Sequence, residues 1–417
     1  MLARMPALQS ADYRRLFYNT VLAAAARWAL MLARGWLVFE LTDSTGAVGI
    51  VTFAGMAPFL VLGPLFGGLA DRLDRRRMAI GAASLGVIFS GALGVLVIAD
   101  VVATWQVVLL AVFQGTTMAM VAPAQESLMP SLVPREHLLN AVALSGLARH
   151  ASRIVGPLAG GALLATLGAG SVFFLSAGLL LFAVVQLWRI RWRPAPTPTS
   201  TRQPLGRLGG EVAEGMRYAW QDRRVRLVLS LLGAHCGLTM AFDSLLPRLA
   251  TDIGGGSTTF TAMIVGIGVG ALIGTLALSQ LRQEAMRGSV FAATGLGSGL
   301  AMIILGLAQT PAVAVIGAAL AGGTQATYMA ISATLIQTIV PDHLRGRVMS
   351  LYLMLAAGHM AFMNLGFGFF ADGTGVRVLM VGPGVIWVGV FLLATVTRTD
   401  LRYLLRRGAF VPAKGVA

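Results

Sequence analysis

The chain has 417 residues, of which 56% are hydrophobic and only 12% are charged. Soluble domains carry about 25% charged residues, so the composition excludes a soluble protein and indicates a membrane protein. A single cysteine excludes an internal disulfide and offers no metal-ligand spacing, so we expect neither a metal nor a cofactor.

Apolar stretches of about 20 residues follow one another along the chain, and each is long enough to cross the roughly 30 Å hydrocarbon layer of a bilayer. All should be helical, because lipid offers backbone amides no partner outside their own segment. The first stretch lacks a cleavage site, and we expect it to remain as a span. The twelve predicted spans are 14–39, 47–69, 78–99, 104–125, 138–166, 171–190, 227–248, 259–280, 288–307, 312–333, 348–370 and 377–397.

The basic residues orient this map. Of the 32, all but six fall on the side that carries both termini. The positive-inside rule makes that side cytoplasmic, so we expect a multi-pass protein of a bacterial inner membrane with both termini in the cytoplasm. The net charge of +15 is then explained by topology, and nucleic-acid binding is not expected. The six exceptions are Arg27, Arg34, Arg149, Arg153, Arg248 and Arg377.

Four of these arginines lie inside spans. Arg27 and Arg34 are seven residues apart in the first span, and Arg149 and Arg153 are four apart in the fifth, so each pair shares a helix face. Such charges normally face a watery cavity or a partner. We expect them to line a central, cationic substrate cavity that accepts an anionic or acceptor-rich compound. The alternative is that they brace the bundle through carboxylates or backbone carbonyls.

Other polar residues inside spans are candidates for substrate binding or proton coupling. Gln114 in the fourth span and Thr324, Gln325 and Tyr328 in the tenth could hydrogen-bond substrate, or equally could join helices. Proton coupling needs a group that titrates between two states. Asp243 is the first candidate and Glu126 the second. His235 is the third, although a lone histidine is more often a packing residue.

Residues 191–226 divide the spans into two groups of six. This segment opens with RWRPAPTPTSTRQPLGR, which is typical of an extended linker, and continues with a pattern that predicts an amphipathic surface helix. The predicted organisation is a bundle at 1–190, a cytoplasmic linker at 191–226 and a bundle at 227–417.

A shift of 207 residues aligns the two halves. It lays GTTMAMVAPAQESLMPSLVP (115–134) on GGTQATYMAISATLIQTIVP (322–341), and it also aligns Gly161 with Gly368 and Gly168 with Gly375. One offset that holds in several places indicates duplication. Two parallel copies of six helices are typical of alternating-access transporters.

The stretch FGGLADRLDRRRM (66–78) concentrates charge directly after an apolar run. Its core resembles the signature between the second and third helices of the major facilitator superfamily, G-x-x-x-D-[RK]-x-G-[RK]-[RK], with Asp74 in place of the second glycine. The matching residues are Gly67, Asp71, Arg72, Arg75 and Arg76. The resemblance implies a latch, centred on Asp71, that holds the outward-facing state. The alternative is that the charges only set topology.

A second motif indicates the direction of transport. IVGPLAGG (154–161) is similar to the core of the fifth-helix motif of exporters in this superfamily, in which Gly156, Pro157, Gly160 and Gly161 match. PSLVPREHLLNAVAL and PDHLRGRVMSLY resemble the branch that contains enterobactin-type and macrolide-type efflux proteins.

The resemblance implies an all-α fold of two six-helix bundles and a secondary active transporter. We expect a monomer that exports a small amphipathic or anionic molecule, such as a siderophore, drug or metabolite, in exchange for protons. An importer, a lysolipid flippase or a non-transporting receptor or assembly partner are the alternatives. An enzyme is not expected, because no nucleophile, base and orienting group occur together.

Overall fold

The computed structural model describes residues 6–70, 74–191, 207–280 and 286–410. Contacts between Cα atoms divide the chain into two units, Met1–Gln203 and Pro204–Ala417, and the boundary falls inside the segment predicted as a linker. The first unit contains α1 Ala11–Thr42, α2 Thr45–Ala70, α3 Arg75–Ile98, α4 Thr104–Leu128 and α5 Leu138–Trp188. The second contains α6 Arg207–Gln221, α7 Arg223–Thr239, α8 Leu246–Asp252, α9 Gly256–Ser279, α10 Met286–Gly306, α11 Pro311–Ile339, α12 Asp342–Thr374, α13 Val378–Thr397 and α14 Thr399–Arg407.

Among the described residues, eleven helical segments are long and apolar enough to cross a membrane. One of them, which includes α5, has 54 residues and is long enough for two crossings. The chain reverses inside it, because Gly160 packs against Val172 and Ser171 Oγ lies 3.4 Å from the carbonyl oxygen of Leu163. In a straight helix, residues eight apart would be about 12 Å apart along the axis. The protein therefore has the predicted all-α architecture of twelve spans.

The chain reversals that follow the fifth and the eleventh span are equivalent. Gly168 interrupts α5 with φ 77°, and Gly375 ends α12 with φ 86°. These glycines are 207 residues apart, which is the offset of the sequence repeat. A side chain at either position would be strained, because positive φ is readily adopted only by glycine.

The seventh span is not the continuous helix that the sequence predicts over 227–248. It breaks between α7 and α8, where a short 3-10 turn covers Asp243–Leu245. Asn364 of α12 compensates for the break, since its side chain accepts from the Ser244 amide at 3.0 Å and its carbonyl accepts from the Ser244 hydroxyl. Irregular backbone at membrane depth is tolerated where protein supplies such partners.

Two shorter helices, α6 and α14, lie outside the predicted spans. The surface helix predicted within 191–226 corresponds to α6, whereas the amphipathic α14 after the last span was not predicted. Leu401 and Leu404 on one face of α14 are buried, while Arg402 and Arg406 are exposed.

Asp74, which replaces the second glycine of the superfamily signature, has a structural role. It is the N-cap of α3, and its carboxylate accepts from the amides of Arg76 at 2.9 Å and Arg77 at 3.1 Å. Aspartate is among the preferred residues at this position, because its side chain satisfies amides that the helix leaves unpaired. Asp71 and Arg72 lie outside the described residues.

The packing of α1 against the first arm of α5 depends on small residues. A Cβ added at Gly156 would overlap the carbonyl oxygen of Ala25, and one at Gly160 would come within 3.1 Å of the Ala29 Cβ. Gly156, Pro157, Gly160 and Gly161, the residues of the exporter motif, are all buried. The motif therefore brings two helix backbones into close contact.

We predict that Gly156→Ala destabilises the protein by about 1–3 kcal/mol, because α1 and α5 must move apart to admit the methyl group. Gly178→Ala on the second arm of α5 is the matched control, since a Cβ there would meet no atom within 4 Å. Thermal unfolding of the two purified variants measures the difference. Equal midpoints for both variants would contradict this account of the packing.

Candidate functional site

A pocket with charged and apolar groups in its wall lies inside the first unit, and its lining includes residues from all five helices. Its volume is about 200 Å³, which is below the 300–1,000 Å³ of typical ligand pockets and suits part of a drug-sized molecule. Apolar side chains, such as Leu30 and Leu180, form much of the wall. The charged residues of the wall are Arg27, Arg34, Arg149 and Glu126.

The structure brings Arg27 and Arg34 to the same pocket, as their spacing on α1 predicts. Arg149 of α5 joins them, and the charges of Arg27 and Arg149 are close enough to interact. Arg27 and Arg149 have exposed side chains that face the pocket space, while Arg34 is half-buried. The pocket wall therefore carries three cationic side chains and one carboxylate among the described residues.

Arg34 is held at its position by a polar chain that crosses three helices. Its Nη1 donates to Gln114 Oε1 of α4 at 3.0 Å, and Gln114 Nε2 donates to Ser90 Oγ of α3 at 3.3 Å. Gly55 of α2 makes room for the guanidinium, because a Cβ there would lie 3.1 Å from Nη2. Within the described residues, the Nε of Arg34 has no hydrogen-bond partner. The guanidinium of Arg34 is therefore held in position while one of its hydrogen-bond donors has no partner among the described residues.

A second polar pair, which the sequence did not single out, lies in the same pocket. Gln125 Nε2 of α4 donates to Asn19 Oδ1 of α1 at 2.6 Å, and Asn19 Nδ2 donates to the Ala183 carbonyl of α5 at 2.8 Å. An isolated Asn or Gln in an apolar span gives little periodic signal, and only the tertiary structure pairs these two. Together they join three helices beside Glu126, whose side chain is exposed to the pocket.

Arg153 lies away from this pocket. Its guanidinium carbon stands 4.7 Å from the centre of the Trp28 ring, a cation–π contact between α5 and α1. Four residues along a helix turn a side chain by about 40° and advance it by about 6 Å, enough to give Arg153 a different neighbour from that of Arg149.

In the described part of the second unit, the candidates His235, Gln325 and Tyr328 are buried among other side chains. Tyr328 is fully buried between the rings of His235 and Phe291, with centroids 4.1 Å and 4.7 Å away. His235 Nε2 lies 3.1 Å from Ser298 Oγ, and Gln325 donates to the Thr239 carbonyl. These side chains form part of the packed interior of the second unit.

Two further candidates have local roles in the structure. The hydroxyl of Thr324 donates to the carbonyl of Leu320 within α11, and Asp243 begins the 3-10 turn that interrupts the seventh span.

The residues of the superfamily signature are partly described. Gly67 lies in α2 and Arg75 is the first residue of α3. Arg76 contacts the end of α5, where its Nε donates to the Leu187 carbonyl at 3.0 Å and its Nη2 donates to the Trp188 carbonyl. The contact lies within the first unit. The latch role of Asp71 falls outside the described residues.

Comparison with known proteins agrees with this architecture. The family described as "Transmembrane secretion effector" matches residues 3–403. The multidrug efflux pump Tap of Mycolicibacterium fortuitum is 26% identical over 360 residues, which cover 84% of this chain and 87% of Tap. The enterobactin exporter EntS of Escherichia coli is 28% identical over 345 residues, which cover 82% of this chain and 80% of EntS.

Solved structures share the fold at low sequence identity. A POT family transporter in complex with 5-aminolevulinic acid has a TM-score of 0.73 and 12% identity, with 93% of this chain and 96% of the other covered. A bacterial homologue of the human lysosomal transporter Spinster has a TM-score of 0.67 and 14% identity, with 96% and 98% covered. At such identities the likeness concerns the fold alone.

We predict that Gln114→Leu lowers stability by about 1.5–3 kcal/mol, because it removes the acceptor of a hydrogen bond from a charged group. Thr116→Val, two residues further along α4, is the control, since the Thr116 hydroxyl bonds only to the Val112 carbonyl of its own helix among the described contacts. Thermal unfolding in detergent distinguishes them. A Gln114→Leu protein as stable as Thr116→Val would show that Arg34 does not depend on Gln114.

Proposed function

Because the chain belongs to the transmembrane secretion effector family of the major facilitator superfamily, we propose that it exports a small amphipathic anion by proton-coupled alternating access. Membership makes the chain a multi-pass efflux transporter of a bacterial membrane and not an enzyme. The substrate class, the coupling ion and the residues that serve them are our proposal.

The observation that carries the substrate class is the convergence of Arg27, Arg34 and Arg149 on one pocket. Each arginine costs about 2.5–3.5 kcal/mol at the centre of a membrane span, so three in one unit need a compensating role. Glu126 balances only one of them among the charged residues of the wall. An anionic group of the substrate, such as a carboxylate, sulfonate or acidic phenol, supplies the missing charge and can accept hydrogen bonds from a guanidinium.

The apolar part of the wall argues for an amphipathic substrate. Leu30, Met118, Val121 and Leu180 line the same pocket as the arginines. Apolar surface supplies affinity for carbon-rich groups through the hydrophobic effect, and a few polar groups fix the orientation of the ligand. A siderophore, drug or related metabolite with one acidic group fits both requirements.

The orientation that this function requires follows from the charges outside the spans. The arginine-rich side of the chain also carries both termini, and the positive-inside rule makes it cytoplasmic. In this orientation Arg76 and Glu126 lie near the cytoplasmic ends of their spans. Substrate would then reach the pocket from the cytoplasm, as export requires.

Glu126 is the group that we assign to proton coupling, because it is the carboxylate of the pocket wall. Proton uptake changes the charge of the pocket by one, which alters its affinity for an anion. Asp243, the stronger candidate from the sequence, belongs to the second unit and stands at the break in the seventh span.

We predict that Arg27→Gln and Arg149→Gln each lower export of an anionic probe at least about tenfold, since a hydrogen bond to a charged group is worth about 1.5–3 kcal/mol. Export of a neutral compound of similar size should change much less. The measurement is energised efflux from cells at matched protein levels, with and without a protonophore.

Arg153→Gln is the matched control for Arg149→Gln, because it removes the same charge from the same helix but outside the pocket. We expect it to retain anion export. The substrate proposal fails if both pocket variants export the anion as well as wild type does.

We predict that Glu126→Gln binds a sulfonate probe at least about fivefold more tightly than wild type does, because the substitution removes the negative charge that opposes the anion. Equilibrium binding to the purified proteins measures the effect. Asp243→Asn is the control, since it removes a carboxylate from the second unit and should bind the probe as wild type does. Equal affinities of wild type and Glu126→Gln would contradict the assignment of Glu126, and tighter binding by Asp243→Asn alone would move it to Asp243.

A further inference from the structure

A second group of arginines lies at one end of the first unit, apart from the pocket. It lines a groove formed where the ends of α1, α3 and α5 meet. Trp188, the last residue of α5, also lines this groove and is 71% exposed. The arginines are Arg15, Arg76, Arg189 and Arg191.

Two of these arginines are held in place by the last carbonyl groups of α5. Arg76 donates to the carbonyls of Leu187 and Trp188, and Arg15 Nη1 donates to the carbonyl of Arg189 at 2.5 Å. The last turn of a helix leaves its carbonyls without partners, and basic side chains can satisfy them. The two guanidinium groups are therefore fixed at the wall of the groove.

The other two arginines contribute only backbone atoms to this network in the described contacts. Arg189 offers its carbonyl to Arg15, and the Arg191 amide donates to Asp12 Oδ1 at 3.1 Å. The side chains of Arg189 and Arg191 are exposed. Asp12 also pairs with Arg15 at 2.8 Å, and the Asp74 carboxylate accepts from the Arg76 amide. Among the described residues, the four arginines of the groove therefore outnumber the two carboxylates that contact them.

The groove continues an apolar face of α5. Leu181 and Trp188 are 52% and 71% exposed, and their spacing of seven residues, nearly two full turns, puts them on the same side of the helix. This span ends at Trp188, and tryptophan is enriched at the level of the lipid headgroups. Acyl chains can therefore cover the apolar face while the headgroup lies beside the arginines.

We propose that this groove binds an anionic phospholipid, with its phosphate among Arg15, Arg76, Arg189 and Arg191 and its acyl chains along Leu181 and the face of α5 that Leu181 shares with Trp188. The excess of positive charge selects an anionic over a zwitterionic headgroup. The apolar face distinguishes a lipid from free phosphate. This inference does not depend on the proposed substrate.

The test is thermal unfolding of the full-length protein in a neutral detergent, titrated with phosphatidylglycerol. A ligand that binds only the folded protein stabilises it by RT ln(1 + [L]/Kd), so the unfolding midpoint rises with the concentration of lipid. We expect such a rise in wild type. In Arg189→Gln/Arg191→Gln, the same rise should need at least about ten times more lipid, because each arginine near an anionic headgroup contributes on the order of fivefold in affinity. This variant keeps the backbone contacts that cap α5.

Arg402→Gln/Arg406→Gln is the matched control, since it removes two exposed arginines from α14 in the second unit. It should respond to phosphatidylglycerol as wild type does. Phosphatidylcholine with the same acyl chains and inorganic phosphate should each leave the midpoint nearly unchanged. The proposal is overturned if the Arg189/Arg191 variant responds like wild type, or if either phosphatidylcholine or inorganic phosphate reproduces the full rise.

Discussion

Hydrocarbon offers no hydrogen-bond partner, so each polar group within a span has to be matched inside the protein or face water in a pocket. This constraint explains why the spans are helical, why span hydroxyls such as that of Thr324 bond to a carbonyl of their own helix, and why several amide and charged side chains occur in contacts between helices. Asn19 with Gln125, Arg34 with Gln114, and Ser244 with Asn364 each join different helices. The pairs therefore fix how neighbouring helices are rotated against each other.

The two units share close helix contacts at equivalent glycines but differ in the side chains of their interiors. Gly115 and Gly322, one repeat apart, each allow a helix to approach the carbonyl of a neighbour, namely Gly55 and Ile267. The pocket of the first unit is lined by cations, whereas an aromatic cluster around Tyr328 occupies the interior of the second. The repeat places Ala234, Ala241 and Ala356 at the positions of Arg27, Arg34 and Arg149. Duplication thus preserved the close helix contacts, while the charged lining is confined to one copy.

The charged segment between α2 and α3 combines topology with local structure. Asp74 satisfies the first amides of α3, and Arg76 satisfies the last carbonyls of α5. Helix ends at the edge of a membrane expose groups that charged side chains can bind, since the unpaired amides and carbonyls of a helix lie at its ends. A charged side chain that keeps a loop on one side of the bilayer can therefore also stabilise the end of a neighbouring helix, as Asp74 does for α3 and Arg76 does for α5.

The sequence alone predicted the number and order of the spans, the duplication at an offset of 207 and the shared face of Arg27 and Arg34, although single span edges differ from the helices by up to six residues, as in α11 and α12. These features depend on apolar length and helical period, which are local properties of the chain. Tertiary structure decided that Arg149 lines the pocket while Arg153 stacks on Trp28. It also decided that Gln325 and Tyr328 are buried in the packing of the second unit, and that the seventh span breaks before Asp243. Such outcomes depend on the depth and rotation of one helix against another. Contacts between residues far apart in the chain set both quantities, and no periodicity within a single span encodes them.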